Sequence, residues 1–354
     1  MKKIGILTFH YADNYGAVLQ AYALRKIINS LPDCKAEIIN YVPKRYVYYL
    51  HKDDGTEKKL LEKRRKLTEE FLMQECGICS SMIYNVKGND YDYYCVGSDQ
   101  VWNIDFRENK DLQYFLPNLD DKATKIAYAA SIGMEIERID EKIFKTYLPQ
   151  FNNISLRESN YIDYIEQICN VKCEQVLDPA LLLNKDDYEY LIDKERIVKK
   201  PYIFFFWYKL DDEMMRCVEF VNTLSRKYGL SIVHSIIDAP RYMFNNDAGC
   251  MMNEGVEGFL WYMKHAEFVI TNSFHGAVFA TQFERPFYIF ISNIRRSRLD
   301  NLVEILEVED RIINGYISPN EMNKDINFEA IRNRLEVERY KSMNFLRNAL
   351  DIKV

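Results

Sequence analysis

The amino-acid sequence predicts an α/β fold in two domains, and three observations carry that prediction. Ile4–Phe9 is a compact, largely apolar run of the kind that forms a parallel strand buried on both faces. It leads through the turn Tyr11–Gly16, where Asp13 and Asn14 are candidate caps, into a helix from Ala17 to Ile28 and a second strand at Ala36–Tyr41. The same strand–turn–helix order returns far along the chain. There Phe268–Ile270 meets the polar turn Thr271–Gly276 and then an apolar helix through Phe283. Between the two, the charged stretch Glu195–Pro201 precedes a new apolar strand, and 354 residues is long for one core. The expected domains are residues 1–196 and 201–320. A terminal helix within 326–354 has the apolar spacing to pack back on the first.

Composition sets bounds on function. The formal net charge is −6, which argues against a nucleic-acid binder while permitting a locally positive pocket. No run reaches the roughly 18 apolar residues of a membrane span, and the first residues read as a strand, not a signal peptide. The expected location is the cytoplasm, with the inner face of the membrane open to it. The eight cysteines read as thiols. Cys76/Cys79 and Cys169/Cys173 are spaced as metal-ligand pairs, but lie too far apart in sequence for a strong signal, and no metal is expected.

Taken in order, the first half carries neither a G-x-G-x-x-G nor a glycine–lysine phosphate loop. Lys58, Lys59, Lys63, Arg64, Arg65 and Lys66 cluster on a charged helix, read as a solvated face, with contact to an anionic membrane as the alternative. Asp90-Tyr-Asp92 precedes its strand, Tyr93–Val96, and reads as a strand-entry turn. Gly97–Asn103 follows that strand directly. Polar side chains there, at the carboxyl end of a parallel strand, can meet a ligand. Ser98, Asp99, Gln100 and Asn103 can hydrogen-bond a sugar and Trp102 can stack on it; a tight turn around a buried indole is the alternative. Further strands are read at Ile126–Ala130 and Ile154–Leu156. The latter ends at Arg157, whose fork suits a carboxylate or phosphate, or else pairs with Glu158.

In the second half, Tyr202–Tyr208 and Ser231–Ile237 read as strands around a helix from Asp211 to Tyr228, and residues 238–255 as a long polar loop. The decisive stretch is Thr271-Asn-Ser-Phe-His275-Gly276. A helix start presents backbone N–H groups to an anion, and His275 sits there with a proton that moves near neutral pH. A hydrogen-bonded structural histidine is the alternative. Arg295, Arg296 and Arg298 cluster after the next strand, Phe287–Ile291.

These pieces together resemble the polysaccharide pyruvyl transferase family. The matches are Lys3–Thr8 with Asn14–Tyr22, Val96–Asn103, Ser155–Glu158, Leu177–Pro179 and Ala266–Gly276, with Ser297–Leu299 as a weaker one. The resemblance implies a GT-B-like fold, two Rossmann-like α/β/α domains with parallel sheets facing across a cleft. It implies transfer of pyruvate from phosphoenolpyruvate, a donor substrate and not a cofactor, to a sugar or lipid-linked oligosaccharide, closing a ketal. On that resemblance His275 is the essential histidine and Arg157 the donor-binding arginine. Asn272, Ser273 and Gly276 then shape the donor site. Arg298 with Arg295 or Arg296 neutralises the leaving phosphate, and Asn14, Tyr15, Ser98, Asp99, Gln100 and Trp102 face the acceptor. A glycosyltransferase using a nucleotide sugar and a non-catalytic scaffold of polysaccharide assembly are the other readings.

Overall fold

Parallel strands buried on both faces need helices on both sides, and the chain satisfies this twice over. The computed structural model describes all residues except 12–13, 44–55, 79–80, 89, 107–110, 121–122, 193–194, 197, 199, 208–211, 237–238, 240–241, 292–295, 314–320 and 353–354; the side chains of 56–58, 212–214, 296 and 297 also lie outside the described set. The chain divides into two units. The first comprises Met1–Asp53, Glu69–Leu183 and Glu336–Val354, and the second Asp54–Thr68 and Asn184–Leu335.

The first unit holds strands β1 (Lys2–Leu7), β2 (Cys34–Ile38), β3 (Tyr93–Val96), β4 (Thr124–Ala130), β5 (Asn153–Leu156) and β6 (Cys173–Gln175). They form one parallel sheet in the order β2-β1-β3-β4-β5-β6. Residues Glu336–Val354 belong to this unit. Leu177 N–H donates to Ser342 Oγ at 2.9 Å, and Arg339 Nε donates to Leu181 O at 2.6 Å.

The second unit holds β7 (Tyr202–Phe206), β8 (Ser231–His234), β9 (Asp247–Cys250), β10 (Phe268–Thr271), β11 (Phe287–Phe290) and β12 (Ile312–Ile313). Their order is β12-β11-β10-β7-β8-β9, again parallel throughout. The unbroken apolar run of β7 is explained by its two covered faces. Ile203, Phe205 and Trp207 share a core with Cys217, Val221 and Leu224 of the Asp212–Tyr228 helix. Phe204 and Phe206 turn the other way, onto Phe259 of the Val256–Lys264 helix.

Each sheet reverses its chain order once, between β1 and β3 and between β7 and β10. At such a point the connections leave in opposite directions and open a crevice beyond the carboxyl ends of the two strands, where open α/β sheets take ligands.

Several expectations need correction. β9 lies within the stretch read as a loop. It is an edge strand with a glycine at φ +116°, and its Asp-Ala-Gly-Cys sequence has little strand propensity of its own. Residues 54–68 cluster with the second unit and not with the first. On that Thr56–Gln74 helix, Lys59, Lys63 and Lys66 are exposed, but Arg64 is buried and reaches Met252 Sδ at 3.5 Å, so the basic cluster is not one solvated face. Lys58 and Cys79 lie outside the described side chains.

Candidate functional site

The second unit builds its site from one threonine outward. Thr271 ends β10 beside Phe206, its register partner at the end of β7. Thr271 Oγ1 donates to Phe206 O at 2.7 Å and accepts the Ser273 N–H at 3.0 Å. Ser273 then caps the Phe274–Gln282 helix, its hydroxyl accepting the Gly276 N–H at 3.3 Å. Gly276 is required by proximity: a Cβ there would stand 2.3 Å from Thr271 Oγ1 and 3.1 Å from Phe206 Cδ1. His275 is the second residue of the helix, buried, with its ring edge-to-face on Phe274 at 5.2 Å. Asn272, in the turn, is buried too.

No acidic residue stands in the first turn of this helix. Its positive end is therefore uncompensated by the chain's own first-turn carboxylates, and it opens at the β7/β10 reversal. Of the expected arginines, Arg298 lies partly buried in the Arg296–Leu306 helix of the same unit. Arg295 and the side chain of Arg296 lie outside the described residues.

The first unit presents a different chemistry at its β1/β3 reversal. Asn14 caps the Tyr15–Asn29 helix, its Oδ1 accepting the Gly16 N–H at 3.0 Å, and Tyr15 is buried behind it. Just past β1, Thr8 Oγ1 donates to Ser98 O at 2.7 Å and accepts Gln20 Nε2 at 2.9 Å. The same Gln20 amide donates to Phe9 O and Ala17 O, so its orientation is fixed. Its Oε1 is buried with no hydrogen-bond donor among the described residues. Asp99 takes the left-handed conformation at φ +73° and its Oδ1 accepts the Gln100 N–H at 2.8 Å.

Behind this turn lies a buried ionic network. Arg157 Nε donates to Glu158 Oε1 at 2.9 Å, and Nη1 donates to Asp178 Oδ2 at 3.0 Å. Ser131 Oγ donates to Glu158 at 2.7 Å, and Ser98 Oγ donates to Asp178 at 2.8 Å. Burial opposes the guanidinium charge, but Glu158, Asp178 and Asp99 outweigh it and hold the pKa above its ordinary value. Among the described residues of this network, one guanidinium faces three acidic side chains.

The sequence-predicted residues thus fall into two groups. His275, Asn272, Ser273 and Gly276 gather in the second unit; Asn14, Tyr15, Ser98, Asp99 and Gln100 gather in the first with Arg157 close behind. Two expectations change. Trp102 is not a sugar platform: it is fully buried, stacked on Phe115 with 11° between the planes, and its Nε1 donates to Tyr114 O at 3.1 Å. Arg157 has the Glu158 pairing weighed for it, plus a second carboxylate, Asp178, that no local spacing announced. Gln20 went unread. A polar residue among Ala17, Ala21 and Leu24 was its signal. Among the described residues no cluster of metal-ligating side chains occurs. Cys76 and Cys95 are thiols that burial pushes up to about 12.

Two predictions follow from this geometry. Gly276→Ala forces the helix off Thr271 and should cost about 1–3 kcal/mol, as overpacking does, read as a lowered thermal midpoint; an unchanged midpoint contradicts the close approach. The second concerns pH. Burial lowers the pKa of His10, whose ring meets Thr8 O and Asn40 Oδ1, and of His234, which pairs with Asp247. The unfolded chain takes up these protons near 6.5 and the folded chain resists them. Stability is therefore full above 6.5 and is lost as pH falls below it toward the depressed folded values. Urea midpoints across that range should fall with pH, and His10→Gln should flatten the slope.

The chain's likeness to known proteins agrees with this layout. It superposes on S. aureus MnaA in a co-structure with UDP with a TM-score of 0.54 at 12% identity, covering 100% of this chain and 98% of that one. For the UDP-GlcNAc 2-epimerase from Neisseria meningitidis the TM-score is 0.52 at 9% identity, with 100% of both chains covered. For the Methanocaldococcus jannaschii UDP-GlcNAc 2-epimerase it is 0.50 at 13%, with 96% and 93% covered. At such identities the likeness shows the fold alone: a GT-B-like pair of Rossmann-like units. No curated protein sequence matches the chain. The family model for polysaccharide pyruvyl transferase matches residues 14–294, taking in β3, the β7/β10 reversal and the His275 turn, and the chain belongs to that family.

Proposed function

We propose that the protein transfers pyruvate from phosphoenolpyruvate to a sugar of a surface or exopolysaccharide precursor. The observation that carries this is His275 in the first turn of a helix with no acidic residue there, at the β7/β10 reversal of a chain in this family. Phosphoenolpyruvate brings a phosphate and a carboxylate, and both suit the positive end of a helix.

The reaction balances without a further reagent. Protonation of the donor's C3 makes C2 electrophilic, one sugar hydroxyl attacks C2, and the C2–O bond to phosphate breaks. A second hydroxyl closes the ketal. Of the two hydroxyl protons lost, one replaces that delivered to C3 and the other leaves with phosphate. His275 is the acid/base at C3 or at the departing phosphate oxygen. Asn272 and Ser273 orient the donor, and Arg298 with Arg295 or Arg296 offsets the phosphate charge.

The first unit takes the acceptor. The buried Gln20 Oε1, with no donor among the described residues, suits a donating hydroxyl. In this reading Arg157 acts as a positioning residue: it holds Asp178, which holds the Ser98 hydroxyl.

The test is turnover. Purified protein is incubated with phosphoenolpyruvate and a panel of free, nucleotide-activated and lipid-linked sugars. Phosphate release and the acceptor's mass are followed together. The expected result is stoichiometric phosphate and a ketal product, reduced about 100- to 10,000-fold in His275→Ala. Sugar transfer from a UDP-sugar with phosphoenolpyruvate untouched overturns the proposal.

A further inference from the structure

The chain has three tryptophans, and their indole N–H groups are treated differently. Trp102 donates to Tyr114 O at 3.1 Å, and Trp261 donates to Glu195 Oε2 at 3.2 Å. Trp207 is 5% exposed, and its buried Nε1 has no acceptor among the described residues. A buried donor without an acceptor costs about 1–3 kcal/mol, so such a group in a folded protein calls for a reason.

Its place in the fold supplies one. Trp207 directly follows β7, and its backbone is bracketed by one side chain: Ser235 Oγ accepts the Trp207 N–H at 2.8 Å and donates to Trp207 O at 2.9 Å. The ring lies 5.3 Å from Phe205 on its own strand and 5.7 Å from Phe290 at the end of β11. β10 runs between β7 and β11. The indole therefore spans the carboxyl end of β10, where the chain turns through Asn272 into the His275 helix. Side-chain alternation agrees. Phe268, Ile270 and Trp207 share one core, and Asn272 is the next residue of that alternating set. The N–H is buried, and its residue lies at the β7/β10 reversal.

We infer that the Trp207 indole N–H donates a hydrogen bond to an oxyanion of the substrate held at the start of the Phe274–Gln282 helix. This rests on the donor reading above and adds a binding residue to it. An indole N–H is donor-only, so it selects an acceptor oxygen and rejects a hydroxyl that must donate. It carries no charge and does not titrate, so this contact is independent of pH.

The experiment reads the three indole N–H resonances of the ¹⁵N-labelled full chain, with Trp207→Phe identifying the Trp207 signal. Phenylalanine keeps an aromatic ring toward Phe205 and Phe290 and removes the donor N–H together with part of the bicyclic ring. Phosphoenolpyruvate and, separately, inorganic phosphate are titrated in, with calorimetry on the same samples. The expected result is that phosphoenolpyruvate moves the Trp207 resonance and leaves Trp102 and Trp261 in place. Trp207→Phe, shown to be folded by its retained Trp102 and Trp261 resonances, should bind it about ten-fold more weakly or worse. Movement with phosphate as well assigns the contact to a phosphate oxygen, and movement with phosphoenolpyruvate alone assigns it to the carboxylate; either supports the inference. Binding heat with a stationary Trp207 resonance and equal affinity in Trp207→Phe overturns the inference and leaves the donor reading standing. No binding heat with either ligand removes both.

Discussion

The hydroxyl of Thr271 holds the second unit's site together. It joins the ends of β7 and β10, stops the Ser273 N–H, and sets the distance at which Gly276 must pass. A helix that starts so close to its strand cannot tilt away. Its positive end therefore points at one place, the gap where the strand order reverses. His275 inherits that position because it is the second residue of the helix. Trp207 inherits it from the other strand of the same pair.

The first unit repeats the topology with a different set of polar side chains. Its β1/β3 reversal is also crossed by a threonine hydroxyl, from Thr8 to Ser98 O. Behind it the only described cation of the network, Arg157, is matched by Glu158, Asp178 and Asp99. In the proposed reading, the second unit's edge takes the anion and the first unit's edge takes the sugar hydroxyls. A transferase of the polysaccharide pyruvyl transferase family needs both kinds of partner, a donor and a sugar, and the fold alone does not say which it uses.

Much of this was legible in the sequence because parallel strands leave continuous apolar runs and their turns leave polar ones. Ile4–Phe9 and Phe268–Ile270 announced strands and Asn14 a helix start, while the helix read as beginning after Gly276 starts earlier, at Phe274, with Ser273 as its cap. What escaped depends on residues remote in sequence. Trp102 follows a polar run and looked available, but Phe115, Phe144 and Phe151 enclose it. Arg157 shows its neighbour Glu158 in the sequence, but Asp178 joins it only through the sheet. β9 has no strand signal of its own and is formed by its partner β8. Trp207 looked like one more apolar residue of a buried strand; only the absence of an acceptor among the described residues distinguishes it.

The central claim is that the His275 helix start binds a phosphate-bearing enol ester through positive potential. Asn272→Asp tests it most directly, since it adds a negative charge at that mouth with almost no change in size. Calorimetry with phosphoenolpyruvate and with UDP-GlcNAc, on wild type and on this variant, is the measurement. The account predicts that wild type binds phosphoenolpyruvate, that Asn272→Asp binds it at least about ten-fold more weakly, and that UDP-GlcNAc is ignored by both. Equal phosphoenolpyruvate affinity in the two proteins, or binding of UDP-GlcNAc in its place, contradicts it.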